Sequence, residues 1–240
     1  MPEVIIPGPS GRIEGRYHHN DDASSPVALV LHPHPKHGGT MNNKVTYNLY
    51  KAFAVNGFSV LRFNFRGVGR SEGEFDNGFG ELTDAAACLD WLQKINPDAA
   101  TFWISGFSFG SWIALQLLMR RPEIEGFVTV SPPANMHDFS FLSPCPCNGL
   151  VVQGTEDSIV EEASVRKFTD RLNSQKDVEI DYRVMKGADH FFRDMQDELL
   201  DHLSQYIKIY SEPLKRRWRI KNDKEPREFP KLTQLVKIHI

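Results

Sequence analysis

Gly106-Phe107-Ser108-Phe109-Gly110 sets one serine between two glycines, each two positions away. The pentapeptide lies between an apolar run, Phe102-Trp103-Ile104, and a second, Trp112-Ile113-Ala114-Leu115. A serine hydroxyl is a weak nucleophile until a neighbouring base removes its proton. On a tight turn between strand and helix it is pushed clear of the backbone. The flanking positions must then be small, because other backbone passes close to them. The helix that follows puts partial positive charge near the hydroxyl. Taken alone, the pattern also fits a glycine-rich turn with a solvated serine, so the rest of the chain must decide.

A base and an orienting carboxylate are expected downstream, in the order Ser, Asp/Glu, His. Gln153-Gly154-Thr155-Glu156-Asp157 follows the apolar run Leu150-Val151-Val152, and Glu156 and Asp157 both compete for the carboxylate role. Gly187-Ala188-Asp189-His190 follows Ile180 to Val184 and precedes the last helix. Of nine histidines, only His190 and His202 lie between Asp157 and the tail, and His202 falls inside that helix. His190 would take the Ser108 proton and return it to the leaving group, while the carboxylate holds the imidazole tautomer. The resulting oxyanion needs preorganised N–H donors. Phe109, next to the serine, supplies one. Pro33 and Pro35 have no N–H, which leaves His34 as the only backbone donor among positions 33–35. Gly38 and Gly39 let this loop fold back or let substrate approach.

Other clusters carry less. His32, His34 and His37 lie in a stretch held extended by prolines, with no Cys, Asp or Glu beside them, so no metal site is expected. Cys145-Pro146-Cys147 has no second cysteine pair to complete a zinc site. Gly67-Val68-Gly69 is too short for a dinucleotide fingerprint. No cofactor is expected.

The elements that must position these residues alternate strand and helix. Strands are predicted at Val27–Leu31, Phe58–Phe65, Thr101–Gly106, Phe127–Val130, Gly149–Gln153 and Val178–Met185. Helices are predicted at Asn43–Val55, Leu82–Ile95, Ser111–Arg121, Glu161–Leu172 and Asp194–Ile209. Glu3–Tyr17 reads as a hairpin around Pro7-Gly8-Pro9. This rhythm implies an α/β fold with a mostly parallel central sheet and an N-terminal antiparallel hairpin.

The chain has 240 residues, 40% hydrophobic and 25% charged, with a net charge of −3. Its longest aliphatic run, Val27–Leu31, is far short of the roughly 18–20 residues of a membrane helix. No export signal opens the chain, and three cysteines are too few for a disulfide framework; a reducing, cytoplasmic setting is expected. Residues 211–240 carry +5 and residues 1–210 carry −8. An acidic body with a short basic tail is not the composition of a nucleic-acid-binding protein.

These motifs together resemble the α/β-hydrolase superfamily, and most closely its small bacterial serine hydrolases without a cap domain. The resemblance rests on His32-Pro33-His34-Pro35, Gly38 to Val45, Arg62 to Gly69 with Ser71, and the series Asp76, Gly78, Gly80, Glu81 and Asp84. It is completed by Gly106 to Gly110, Gly154 with Asp157, and His190-Phe191-Phe192, and covers about residues 4–209. The resemblance implies a three-layer sandwich and a catalytic set of Ser108, Asp157 and His190, choosing Asp157 over Glu156. It implies a reaction class, hydrolysis of esters, thioesters, amides and more, but no particular substrate. The serine argues against the dehalogenase chemistry of an aspartate nucleophile, and a serine esterase or thioesterase acting on a small acyl substrate is expected. Ser131 to Asn148, where caps commonly enter, is too short for a helical lid, although Phe139 to Leu142 could shape one pocket wall. Asp76, Glu81 and Asp84 are expected to be structural, paired with Arg62 or Arg66.

Two alternatives stand beside hydrolysis: an acyltransferase on the same residues, and a non-catalytic binding protein of the same fold. Relatives of the second kind usually lose one of the three positions, and all are present here. The expected division is a hydrolase domain over 1–210 and a basic extension over 211–240. Leu214 to Lys221 could lie on an anionic membrane, but the plainer reading is a poorly ordered terminus, because Pro213, Pro226 and Pro230 interrupt any long helix. The sequence leaves the oligomeric state open.

Overall fold

The computed structural model describes residues 2–222, with side chains through Glu212. A hairpin opens the chain: β1 (Glu3–Gly8) and β2 (Gly11–His18) turn through Pro9-Ser10. Then follow β3 (Val27–Leu31), α1 (Lys44–Val55), β4 (Ser59–Phe63), α2 (Phe79–Ile95) and β5 (Phe102–Phe107). The remainder is α3 (Phe109–Leu118), β6 (Ile124–Val130), β7 (Gly149–Gly154), α4 (Glu162–Asn173), β8 (Ile180–Met185) and α5 (Gln196–Asn222).

The strands form one eight-stranded sheet, ordered β1-β2-β4-β3-β5-β6-β7-β8. The β1–β2 and β2–β4 pairs are antiparallel, and every other pair is parallel. The all-apolar run of β3 follows from burial on both faces. Leu29 and Leu31 belong to the core cluster that also takes in α2, α3 and α4, whereas Ala28 and Val30 belong to the one that takes in α1 and α5. The two-residue side-chain period of a strand thus feeds both outer layers of the sandwich.

Several helix ends differ from expectation. α3 spans Phe109–Leu118, not Ser111–Arg121. α2 begins at Phe79, not Leu82, because Gly78 takes φ 98° and Glu81 reaches back over the first turn. The Glu81 carboxylate accepts from Gly78 N at 2.7 Å and Asp76 N at 3.0 Å, satisfying donors that a helix start leaves unpaired. α5 continues past Ile209 and Pro213 to Asn222, into the segment read as a poorly ordered extension. It gives up one backbone bond there, since proline has no N–H. Residues 223–240, and the tail side chains proposed for membrane contact, lie outside the described residues. No helix among the described residues is long and apolar enough to cross a membrane.

Strand order places the site. β3 lies between β4 and β5: the chain leaves β3 through α1 to β4 on one side, then crosses through α2 to β5 on the other. The loops after β3 and β5 therefore diverge, opening a crevice at the carboxyl ends of the strands, where α/β sheets bind ligands.

Candidate active site

Ser108 is the single residue between β5 and α3, with φ 53° and ψ −121°. Positive φ in a residue with a side chain costs about 1–3 kcal/mol and persists only where the surroundings enforce it. They do so here. Ser108 N donates to Val130 O at 2.8 Å, and Ser111 Oγ donates to Gly106 O at 2.8 Å. A Cβ on Gly106 would lie 2.6 Å from Ser111 N, and one on Gly110 would lie 2.5 Å from the Leu31 and His32 carbonyl oxygens. Both glycines are thus set by close backbone approach.

Ser108 Oγ lies 3.2 Å from His190 Nε2, and His190 Nδ1 lies 2.8 Å from Asp157 Oδ2. His190 and Asp157 are buried, at 5% and 6% exposure. The loops that carry them are stitched together: Glu156 N donates to Ala188 O at 3.0 Å, and Gly187 N to Thr155 Oγ1 at 2.8 Å. This stitching turns Glu156 out to solvent and Asp157 inward, which separates the two carboxylates that the sequence left in competition.

Asp157 is saturated with donors. Oδ1 accepts from Ile159 N and Val160 N at 2.9 and 2.8 Å, and Oδ2 accepts from Gln153 Nε2 at 3.0 Å as well as from His190. Burial pushes this carboxyl up, but the His190 bond and the backbone donors outweigh it and hold it below its ordinary value. Gln153 was missed by sequence reasoning. It reads as one more buried strand residue, and its only signal is being the sole polar side chain of β7.

Phe109 N is the first amide of α3 and has no intrahelical partner. His34 caps the short 3-10 turn Pro35–His37, and its carbonyl accepts from His37 N and Gly39 N, both at 3.1 Å. Gly39 packs so tightly beneath this loop that a Cβ would meet the His34 carbonyl oxygen at 2.6 Å. The His34 and Phe109 rings have centroids 4.9 Å apart, so the loop after β3 lies against the start of α3, and both residues line the cavity over Ser108. His32 is fully buried and fastens this loop. Its Nδ1 donates to Pro33 O at 2.6 Å, and its Nε2 accepts from Phe65 N at 3.0 Å. Burial lowers its pKa to about 3, so it is neutral, and both ring nitrogens are already engaged.

Two members of the acidic series hold structure: Glu81 caps α2, and Asp84 pairs with Arg66 at 2.7 Å. Arg62 takes no carboxylate among the described residues: it donates to Met41 O and Asn42 Oδ1 at 2.6 and 2.7 Å. Above Ser108 opens a cavity of about 540 Å³, lined by both histidine loops and by Pro133, Met136, His137 and Ile159. The segment 131–148 has no helix or strand, and its contribution differs from expectation. Phe139 and Leu142 are buried in the core, Phe139 with its ring 4.7 Å from Phe168, while Pro133, Met136 and His137 form the wall.

The sheet, the sharp serine turn and the linked histidine and carboxylate define an α/β hydrolase of the serine type. The chain belongs to the α/β-hydrolase superfamily and, within it, to the X-Pro dipeptidyl-peptidase (S15) family, whose model matches residues 17–222. It is 54% identical over 211 residues to an uncharacterized protein of Rickettsia prowazekii, covering 86% of this chain and 89% of that protein. An α/β hydrolase of unknown function from Agrobacterium tumefaciens superposes with TM-score 0.84 at 48% identity, covering 94% of this chain and all of that one. A serine hydrolase without lid from Xanthomonas campestris superposes at 0.79 with 32% identity, covering 87% and 94%. Zebrafish lysophosphatidylserine lipase ABHD12 is 27% identical over 198 residues, 78% of this chain but only 43% of the lipase.

Proposed function

We propose that this hydrolase cleaves small carboxylic esters or thioesters through an acyl-enzyme on Ser108. The observation that carries the reading is the Asp157–His190–Ser108 hydrogen-bond chain at the floor of an accessible cavity. In the first half-reaction His190 Nε2 takes the hydroxyl proton as Ser108 Oγ bonds to the acyl carbon. The carbonyl electron pair moves to oxygen, where the N–H groups of Phe109 and His34 stabilise it. The pair returns, the bond to the leaving oxygen or sulfur breaks, and His190 gives that atom its proton. Water then repeats the sequence and releases the acid. Asp157 stays ionised throughout and stabilises the imidazolium.

Two features favour esters over the peptides that the family description names. Among the described residues the cavity lining contains no carboxylate to receive a peptide's terminal ammonium. One relative is a lysophospholipid lipase by name, and so acts on an ester. The test is a panel of nitrophenyl esters and acyl thioesters of graded chain length, with an X-Pro nitroanilide as the peptide arm. Turnover of esters or thioesters that disappears in Ser108→Ala supports the proposal. Turnover of the nitroanilide alone would overturn it.

A further inference from the structure

Residues 1–210 carry −8, yet among the described residues the cavity over Ser108 is lined by four histidines and no carboxylate. His190 is committed to Ser108 and Asp157. The other three gather along one wall. The His34 and His37 rings have centroids 4.5 Å apart, and His34 and His137 lie 4.9 and 6.4 Å from the Phe109 ring centre. His137 is fixed by stacking on Trp112 at 4.0 Å and 18°. Lys36 adds a cation, its Nζ 5.1 Å over the Phe75 ring, which itself lies 4.8 Å from His34.

These imidazoles have spare hydrogen-bonding capacity. His34 Nδ1 accepts from Lys36 N at 3.2 Å, which leaves the ring proton on Nε2. Among the described residues neither the His37 nor the His137 ring has a hydrogen-bond partner. The nearby carboxylates are occupied or turned aside. Asp157 is saturated behind His190, Asp138 binds Ser140 N and Oγ, Asp189 binds Phe191 N and Arg193 N, and Glu74 lies in the neighbouring pocket with Lys36 and Arg66. Burial, then repulsion from His37, His137 and Lys36, holds His34 below its ordinary pKa, and burial does the same to His137. A wall of imidazoles with no counter-charge is complementary to an anion.

We infer that the His34–His37–His137 wall recognises a carboxylate or phosphate on the substrate, making this site selective for acyl compounds that carry an anionic group. The inference rests on the ester reading and adds the substrate class. An anion among imidazoles raises their proton affinity, so its binding takes up protons and strengthens as pH falls through their range.

The experiment compares matched anionic and neutral esters. On the acyl side the pair is mono-4-nitrophenyl glutarate and its methyl ester; on the leaving-group side it is 4-acetoxybenzoate and its methyl ester. The ratio of kcat/KM, anionic over neutral, is expected to rise about fivefold from pH 8 to pH 6 in at least one pair, the size of one partly exposed charge interaction. In His37→Gln and His137→Gln that rise shrinks, and a general loss of activity cancels in the ratio. Inorganic phosphate should inhibit more strongly at pH 6 than at pH 8 if the wall takes phosphate as well as carboxylate. Ratios that stay flat with pH in both pairs, with neutral esters still turned over, overturn the inference and leave the ester reading standing. Absence of turnover of every ester overturns both.

Discussion

Two buried histidines end two strands of the same sheet edge, and they are built for opposite purposes. His32, after β3, gives one ring nitrogen to a carbonyl and takes an amide proton on the other. His190, after β8, faces a carboxylate on one side and a serine hydroxyl on the other. Both are buried, at 0% and 5% exposure. What differs is the charge of the partner. Burial lowers the His32 pKa to about 3, and its neutral partners supply no negative charge to offset that. The ionised Asp157 gives His190 the counter-charge that an imidazolium needs. One histidine is a fastener for the oxyanion loop, and the other is free to be a base.

The sharpest way to break this contrast is to remove the groups that use His190. Ser108→Ala or His190→Ala should lower ester kcat by about a million-fold, measured against a fold check by circular dichroism. Asp157→Asn makes the partner of His190 neutral, as that of His32 already is. It should cost about 10⁴-fold in kcat with the fold intact. Gly110→Ala acts on both regions together, because its Cβ would press on the Leu31 and His32 carbonyls. Overpacking of this kind should destabilise by about 1–3 kcal/mol in urea unfolding.

The pH dependence separates the two histidine environments. The folded pKa of His32, about 3, lies below its unfolded value of 6.5. The unfolded chain therefore binds the extra proton, and stability is lost as pH falls from about 6.5 toward 3. This amounts to about 2 kcal/mol by pH 5. Urea midpoints should fall less steeply between pH 7 and pH 5 in His32→Asn than in wild type. Asp157 has a lowered folded pKa, so its contribution is present above the ordinary carboxylate range and is lost only as pH falls below it. The smallest effect is expected from Gln153→Leu, which removes one donor from Asp157 Oδ2. Loss of one bond to a charged group should lower kcat/KM about tenfold and move the acidic limb of its pH profile upward.

Local chemistry made much of this legible in the chain. The double burial of Val27–Leu31, the glycines around Ser108 and the positions of Asp157 and His190 all express short-range rules of strand period, turn sterics and loop order. What escaped depends on how loops fold back and on which strands lie side by side. Gln153 touches Asp157 only because the β7–α4 loop curls back, and His32 meets Phe65 only across two parallel strands. The early start of α2 was hidden by Phe79, whose 77% exposure breaks the apolar stripe that marked Leu82 as the start. Phe139 was placed near the pocket because its segment borders it, whereas the core beside Phe168 takes an aromatic ring more favourably.

The central claim is that His190, held by Asp157, makes Ser108 a nucleophile. Labelling of the intact protein by a fluorophosphonate, followed by peptide mass analysis, tests it most directly. A single adduct on Ser108 is expected, absent from Ser108→Ala and formed far more slowly in Asp157→Asn. A folded wild-type protein that takes no adduct at Ser108 would contradict it.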